Sequence, residues 1–189
     1  MSTRWSIWAT RLIVVALITA SCGGGRAATS TPPVKLTTYT SAVYPYSIGY
    51  PAGYSVEPAQ RSMSEVDLPA EGPNPALDRF VAKGTGPVIA VGAQPVAGGT
   101  SVAAWVGATT ERVHSISGYQ ASGSPQTIQV GGEPARLVTY PLAGSIFQLW
   151  AMVVHGDSGF YIVLRDDPGT EDADRALFDR ILATLTFTS

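Results

Sequence analysis

Cysteine, histidine and lysine are scarce in this 189-residue chain, and their scarcity excludes several classes of function. The single cysteine, Cys22, has no partner for an intramolecular disulfide, and the only histidines are His114 and His155. Neither histidine has a second histidine or a cysteine at metal-ligand spacing, so we predict no metal site. The formal net charge of −2 offers no basic patch for phosphates, which argues against a nucleic-acid partner.

Hydrophobic stretches long enough to cross a membrane are also lacking. The apolar run near the N-terminus covers only residues 12–18, whereas a helix needs about 20 apolar residues to span the hydrocarbon of a bilayer. Two arginines, Arg4 and Arg11, precede this run, and no acidic residue does. A basic start, a short apolar run and small residues describe a secretory signal peptide, which we predict over residues 1–21.

The end of this segment resembles a bacterial lipobox, in which small residues precede a cysteine that is diacylated and becomes the new N-terminus. Ala20, Ser21 and Cys22 match that pattern, whereas Thr19 stands where a large aliphatic residue is usual. The resemblance implies a lipid on Cys22 that attaches the chain to the extracytoplasmic face of the cell membrane. The alternative is an ordinary secretory peptide cut nearby. Residues 22–35, rich in Gly, Ser, Thr and Pro, predict a flexible tether.

Residues 36–189 are predicted to form one globular domain. Alternation at period 2 and short apolar runs predict its strands, and these lie at residues 46–50, 54–56, 80–82, 88–91, 127–130, 135–140, 146–154 and 160–164. The last four strands form two hairpins around four-residue loops, 131–134 and 156–159. The nearly continuous apolar character of the second hairpin predicts a central position, covered on both faces.

Two helices are predicted from caps and apolar stripes. The first begins after Thr100 or Ser101, either of which can cap it. Its apolar stripe comprises Val102, Trp105, Val106 and Val113. We assign Arg112 to a position off that stripe. The second helix begins at Thr170, and residues 185–187 add a closing strand. Antiparallel strands with two main helices packed on them make an α+β domain.

Three sequence features resemble the PsbP-like domain, which occurs in photosynthetic extrinsic subunits and in bacterial lipoproteins. They are Tyr46-x-Ile48-x-Tyr50-Pro51-x-Gly53-Tyr54, then Val130-x-Gly132-x-Pro134-Ala135, and the final helix leading into residues 185–187. The resemblance covers about residues 36–187, and Tyr54 stands where Trp is common. It implies an α/β/α sandwich, an envelope location and a non-enzymatic role in binding or assembly. It implies no particular functional residue.

Two constellations invite a chemical interpretation. Gly156-Asp157-Ser158-Gly159 is similar to the nucleophile signature of chymotrypsin-like proteases, but neither histidine has the sequence context of a catalytic base. Turn formation accounts for all four residues. The acidic residues Asp166, Asp167, Glu171, Asp172 and Asp174 do not match a calcium-loop spacing. Turn and helix-start chemistry accounts for them. We therefore predict no catalytic residue, no cofactor and no enzyme activity.

A partner surface is predicted at one end of the domain. Residues 60–76 form a polar, proline-containing segment without periodicity, and loops of this length are usually functional or disordered. Its apolar side chains gain nothing from facing water, and tyrosines nearby are favoured at interfaces. The residues of this surface are Tyr44, Tyr46, Met63, Val66 and Leu68.

The function expected from these features is that of a lipid-anchored envelope protein that binds or helps to assemble an envelope protein partner by surface contact. One alternative is a carrier of a small hydrophobic ligand, which requires an apolar cavity between sheet and helix. The other is a cryptic hydrolase, which requires a serine or an aspartate to meet one of the two histidines in a pocket.

Overall fold

Ten strands and two helices make up the part of the chain that the computed structural model describes, residues 34–65, 67–68, 74–115, 122–142 and 146–188. The strands are β1 Leu36–Thr40, β2 Tyr46–Pro51, β3 Ser55–Glu57, β4 Asp78–Val81, β5 Val88–Pro95, β6 Ser122–Val130, β7 Glu133–Leu142, β8 Ile146–His155, β9 Ser158–Asp166 and β10 Thr186–Phe187. The helices are α1 Val102–His114 and α2 Glu171–Leu182. The predicted signal peptide, Cys22 and residues 22–33 of the predicted tether lie outside the described residues.

The strands form two antiparallel sheets. The large sheet has seven strands in the order β3-β4-β5-β9-β8-β7-β6, and the small sheet has three in the order β1-β2-β10. The α+β class predicted from the sequence is therefore confirmed. The small sheet was not predicted, because β1 has no clear alternation and β10 joins β2 only by long-range pairing, Thr186 with Ser47 and Phe187 with Tyr46.

The large sheet lies between two covering layers. Adjacent residues on β9 point to opposite faces. The ring of Tyr161 lies 4.7 Å from that of Trp105 on α1, whereas the ring of Phe160 lies 5.0 Å from that of Phe187 on β10. Helix α2 contacts both β2 and β9, so it packs on the side of the small sheet. Strands β8 and β9 are buried over most of their length, which confirms the prediction that they are central.

Both hairpin loops are shorter than predicted. Val130 pairs with Glu133, and His155 pairs with Ser158, so each turn has two residues instead of four. Gly131 and Gly132 have φ values of 60° and 84°, as a type I′ turn requires at both central positions. Glycine at these positions allows the strands to continue up to the turn.

Helix α1 begins where the sequence predicts. Ser101 is its N-cap, and its Oγ accepts a hydrogen bond from the backbone N of Ala104 at 3.2 Å. This bond satisfies one of the four backbone N–H groups that a helix start leaves without an intrahelical partner. Among the described residues, no helix is both long and apolar enough to cross a membrane.

Candidate functional site

The predicted partner surface is wrong for three of its five residues. Tyr44, Tyr46 and Met63 are only 6 %, 0 % and 3 % exposed, so they belong to the core. The hydroxyl of Tyr44 donates to the carbonyl of Ala76 at 2.5 Å and accepts from the backbone N of Met63 at 2.9 Å. A buried tyrosine needs such partners for its polar tip, and the segment that precedes β4 supplies them.

Tyr46 is held in the core by the carboxylate of Asp78, which is fully buried. Four donors reach this carboxylate, namely the hydroxyls of Tyr39, Ser41 and Tyr46 at 2.6–2.7 Å and the backbone N of Ala59 at 2.8 Å. Burial, and then the charge of Asp78, raise the pKa of Tyr46 well above its usual value. The hydroxyl of Tyr46 therefore stays protonated and donates to the carboxylate. The network joins the small sheet to β4 of the large sheet.

Of the remaining two residues of the predicted surface, the structure describes only Leu68. Leu68 is half-buried and packs against the core, and Val66 lies outside the described residues. At the described positions, residues 60–76 contain no helix or strand, as predicted. Met63 nevertheless fills a gap above Gly92 of β5, where a Cβ atom would lie 2.6 Å from its sulfur. This segment is therefore partly a core element.

Ser158 and His155 face each other across the β8–β9 hairpin without a catalytic arrangement. The imidazole of His155 stacks on Phe187 with a centroid distance of 4.1 Å and an interplanar angle of 7°. Its Nδ1 lies 3.4 Å from Oε1 of Glu133. Within the residues that the structure describes, no hydrogen bond joins the side chains of Ser158 and His155. A serine nucleophile needs its base within hydrogen-bond distance.

The acidic residues around the start of α2 are engaged locally. Oδ2 of Asp174 accepts from the hydroxyl of Thr170 at 2.6 Å, and Oε2 of Glu171 accepts from the backbone N of Gly169 at 3.0 Å. His114 is exposed at the end of α1. In the described part of the chain, no group of three or more His, Cys, Asp or Glu residues is arranged to hold a metal ion.

A groove between α1 and the end of β5 combines apolar walls with polar groups, and we call it the α1 groove. Its volume is about 290 Å³. The apolar lining consists of Pro95, Val96, Ala97, Ala104, Trp105 and Ala108. The backbone N of Val96 donates to the carbonyl of Asp157 at 3.0 Å, which ties one wall of the groove to the β8–β9 turn.

Trp105 is fixed against the large sheet beside the groove. It is 5 % exposed, and its indole lies so close to Gly159 that a Cβ atom there would be 2.5 Å from two ring atoms. The second glycine of the protease-like signature is thus a packing position for Trp105. The indole Nε1 is buried and has no hydrogen-bond partner in the described part of the chain. A buried N–H without an acceptor costs about 1–3 kcal/mol.

Arg112, two helical turns after Trp105, brings a cation to the groove. Its Nη1 donates to the carbonyl of Glu65. Nη2 makes three long contacts, at 3.4 Å to the carbonyl of Asp67, 3.4 Å to Oε1 of Gln94 and 3.3 Å to the hydroxyl of Tyr161. The Nε of Arg112 is buried and has no partner among the described residues.

No described anion neutralises this guanidinium. Among the described residues, no carboxylate oxygen lies within 4.0 Å of Arg112. The carboxylate of Asp67 is paired with Arg61 at 2.8 Å, and the hydrogen bonds from Arg61 hold the pKa of Asp67 well below its usual range. Burial raises the pKa of Tyr161, so this hydroxyl is neutral at physiological pH. Arg112 is therefore a half-buried cation surrounded by neutral acceptors.

Arg112 was not predicted as a site residue. Trp105 was placed on the apolar stripe of the helix, and it is indeed buried. Arg112 was placed off that stripe, although seven residues make about two turns and bring it back to the face of Trp105. That spacing was the available signal, because an arginine two turns after a tryptophan lies beside the same groove.

Gly159→Ala tests the packing of Trp105. The added methyl would overlap the indole, so we expect the free energy of unfolding to fall by about 1–3 kcal/mol, as measured by urea denaturation. Gly98→Ala is the matched control, because its Cβ would meet its nearest atom, Oδ1 of Asp157, at an ordinary 3.6 Å. Equal stability of both variants would contradict the position of the indole.

The two sheets and two helices define a PsbP-like α/β/α sandwich, and comparison with solved structures agrees with this fold. Cyanobacterial PsbP (CyanoP) from Synechocystis matches with a TM-score of 0.58 and 18% identity over 88% of this chain and 97% of its own. LpqN of Mycobacterium tuberculosis, which is involved in cell envelope biogenesis, matches with a TM-score of 0.51 and 14% identity over 83% and 86% of the two chains. A protein from Bacteroides thetaiotaomicron matches with a TM-score of 0.51 and 11% identity over 80% of this chain and 48% of its own.

No family model and no curated protein matches the sequence. Since all three structural likenesses are below 25% identity, they establish the fold alone. The PsbP-like fold predicted from the sequence is confirmed.

Proposed function

We propose that this chain is a lipid-anchored, extracytoplasmic protein without catalytic activity that binds a ligand in the α1 groove. The lipid would sit on Cys22, which follows the short apolar run and small residues of a lipobox-like segment. The likeness to LpqN, a protein of cell envelope biogenesis, agrees with a place in the cell envelope.

The observation that carries the binding role is the pair of buried donors beside the groove. Trp105 Nε1 and Arg112 Nε have no acceptor within the described chain. More than nine in ten buried polar groups in native proteins are hydrogen-bonded, so two orphaned donors at one groove favour an acceptor from outside the chain. The α1 groove therefore replaces the tyrosine-rich edge as the binding site.

Of the two alternatives, the groove is closer to the carrier of a small hydrophobic ligand. It lies between a helix and the sheet, as that hypothesis requires, but a half-buried arginine in its wall favours a ligand with an anionic or strongly polar end. The hydrolase alternative has less support, since no hydrogen bond joins the side chains of Ser158 and His155 among the described residues and the imidazole of His155 is stacked on Phe187.

Cys22→Ser tests the attachment to the membrane. We expect lipid labelling to disappear and the protein to move completely from the membrane fraction to the soluble fraction, because the acceptor of the lipid is lost. The matched control combines Cys22→Ser with Ser30→Cys, which restores a thiol in the tether but not at the lipobox position. Retention of Cys22→Ser in the membrane fraction at the wild-type level would contradict the proposal.

Photocrosslinking in cells tests the groove itself. A benzophenone amino acid in place of Ala108, which lines the groove, is expected to give a light-dependent adduct of defined mass. Ala103 is the control position, because it is exposed on the same helix and does not line the groove. Arg112→Gln should reduce the Ala108 adduct. The same adduct from both positions, or none from either, would overturn the binding role.

A further inference from the structure

We infer that the α1 groove recognises a carboxylate, and this inference rests on the proposed function. A guanidinium can bind a carboxylate through its Nε–Nη2 edge, with two parallel N–H···O bonds. On Arg112 this edge is poorly occupied. Nε has no partner among the described residues, and all three contacts of Nη2 are 3.3–3.4 Å long. Nη1, by contrast, is engaged by the carbonyl of Glu65.

Trp105 provides the additional donor that a carboxylate can use. Each carboxylate oxygen accepts more than one hydrogen bond, so a carboxylate paired with Nε and Nη2 of Arg112 keeps acceptor capacity for Nε1 of Trp105, a residue that lines the same groove. Trp105 is locked by Gly159 and by Tyr161, whose ring lies 4.7 Å away. Trp105 lies on α1 and Tyr161 on β9, so the indole donor is held between two regular elements, as a specific site requires.

The charge of the lining favours a monoanion over a phosphate. Arg112 is the only basic residue in the described lining, and Glu65 adds a carboxylate to it. A phosphate group carries up to two negative charges at neutral pH, and this lining offers one cation with an acid nearby. A carboxylate carries one charge, which Arg112 alone can neutralise.

The size of the groove limits the rest of the ligand. With about 30 Å³ for each water-sized group, a volume of about 290 Å³ holds about ten non-hydrogen atoms. Ala104, Ala108 and Val96 line the groove with small apolar side chains. The groove therefore takes a carboxylate with the short aliphatic body next to it, supplied either by a free acid or by the C-terminal residue of a peptide whose other residues lie outside the groove.

Titration of the full chain in dodecyl maltoside micelles distinguishes these sources. The probes are 4-methylpentanoate and N-acetyl-alanyl-leucine, each compared with its own carboxamide. The readout is the Trp105 indole N–H signal in ¹H–¹⁵N spectra, assigned by its loss in Trp105→Phe, which should move downfield when Nε1 gains an acceptor. We expect at least one acid to bind at least tenfold more tightly than its amide, and the stronger acid identifies the source. Equal affinity of both acids and amides, or no binding of either acid, would overturn the inference.

Variants separate charge from geometry. Arg112→Lys keeps the charge but lacks the two-donor edge, so we expect the affinity for the acid to fall at least tenfold. Arg180→Lys, an exposed position on α2, is the matched control and should leave the affinity unchanged. Trp105→Phe removes the indole donor together with ring atoms that pack on Gly159, and it should weaken binding of the acid more than that of the amide, as measured by calorimetry. Wild-type affinity in Arg112→Lys would contradict recognition through the Nε–Nη2 edge.

The two proposals can fail separately. A light-dependent adduct from Ala108 without binding of either acid would overturn carboxylate recognition and leave the groove as a binding site. Absence of both the adduct and acid binding would overturn the proposed function as well. Circular dichroism of each variant identifies any loss of binding that is due to unfolding.

Discussion

Replacing Asp78 with alanine is expected to lower the free energy of unfolding by about 3–5 kcal/mol. The carboxylate is fully buried and accepts four hydrogen bonds, three of them from side-chain hydroxyls. The substitution leaves the hydroxyls of Tyr39 and Tyr46 without this acceptor inside the protein. Each orphaned donor costs about 1–3 kcal/mol, and the costs are not additive because the donors share one site.

The same network links the two sheets, so its loss should be cooperative. Urea denaturation followed by tryptophan fluorescence and by far-ultraviolet circular dichroism measures the effect, and the two transitions should shift together. Glu57→Ala is the control, since this exposed acid pairs with Arg79 on the neighbouring strand and should change stability by less than about 1 kcal/mol. If Asp78→Ala costs no more than Glu57→Ala, the carboxylate does not hold the sheets together.

Much of the fold was predictable because its signals are local. The alternation of β2, the apolar runs of β8 and β9 and the serine before α1 each reflect the physical requirements of a short segment. Ser101 can be identified as a cap because the cap bond reaches only to Ala104. The hairpin turns were placed correctly but made too long, since a two-residue turn depends on the φ values of single glycines such as Gly131.

Burial of the tyrosines was not predictable from the same kind of pattern. An aromatic strand with alternating small residues has the same appearance whether it faces a partner or the core. For Tyr39 and Tyr46 the deciding contact is with Asp78, 39 and 32 residues away in the sequence. The small sheet was missed for a similar reason, because β10 pairs with β2 across most of the domain.

Only part of the candidate site could be predicted from the sequence. The position of Trp105 on an apolar helix face could be predicted from periodicity. Its unpaired Nε1 could not, since this depends on what surrounds the ring in three dimensions. The role of Arg112 depends on its contacts with the carbonyls of Glu65 and Asp67. These two residues lie in a segment that has no regular period and that reaches α1 only in the folded chain.

Trp150→Ala is expected to lower the free energy of unfolding by about 3–5 kcal/mol, as is typical for truncation of a large buried aromatic residue. Trp150 lies on the central strand β8 and is fully buried. Its ring packs at 4.8 Å from Tyr140 and 5.9 Å from Tyr161, and its Nε1 donates to Oε1 of Gln148 at 2.7 Å. Denaturation in urea, with circular dichroism as the probe, measures the loss.

Trp150→Phe separates packing from hydrogen bonding at this position. Phenylalanine keeps most of the ring contacts but removes the donor to Gln148, so we expect a cost of about 1–3 kcal/mol. Because Tyr161 lies between Trp150 and Trp105, the alanine variant should also change the Trp105 indole N–H signal, whereas the phenylalanine variant should change it little. A cost below about 1 kcal/mol for Trp150→Ala would mean that β8 does not occupy the centre of the large sheet. An unchanged Trp105 signal in that variant would mean that the groove is not positioned through this aromatic cluster.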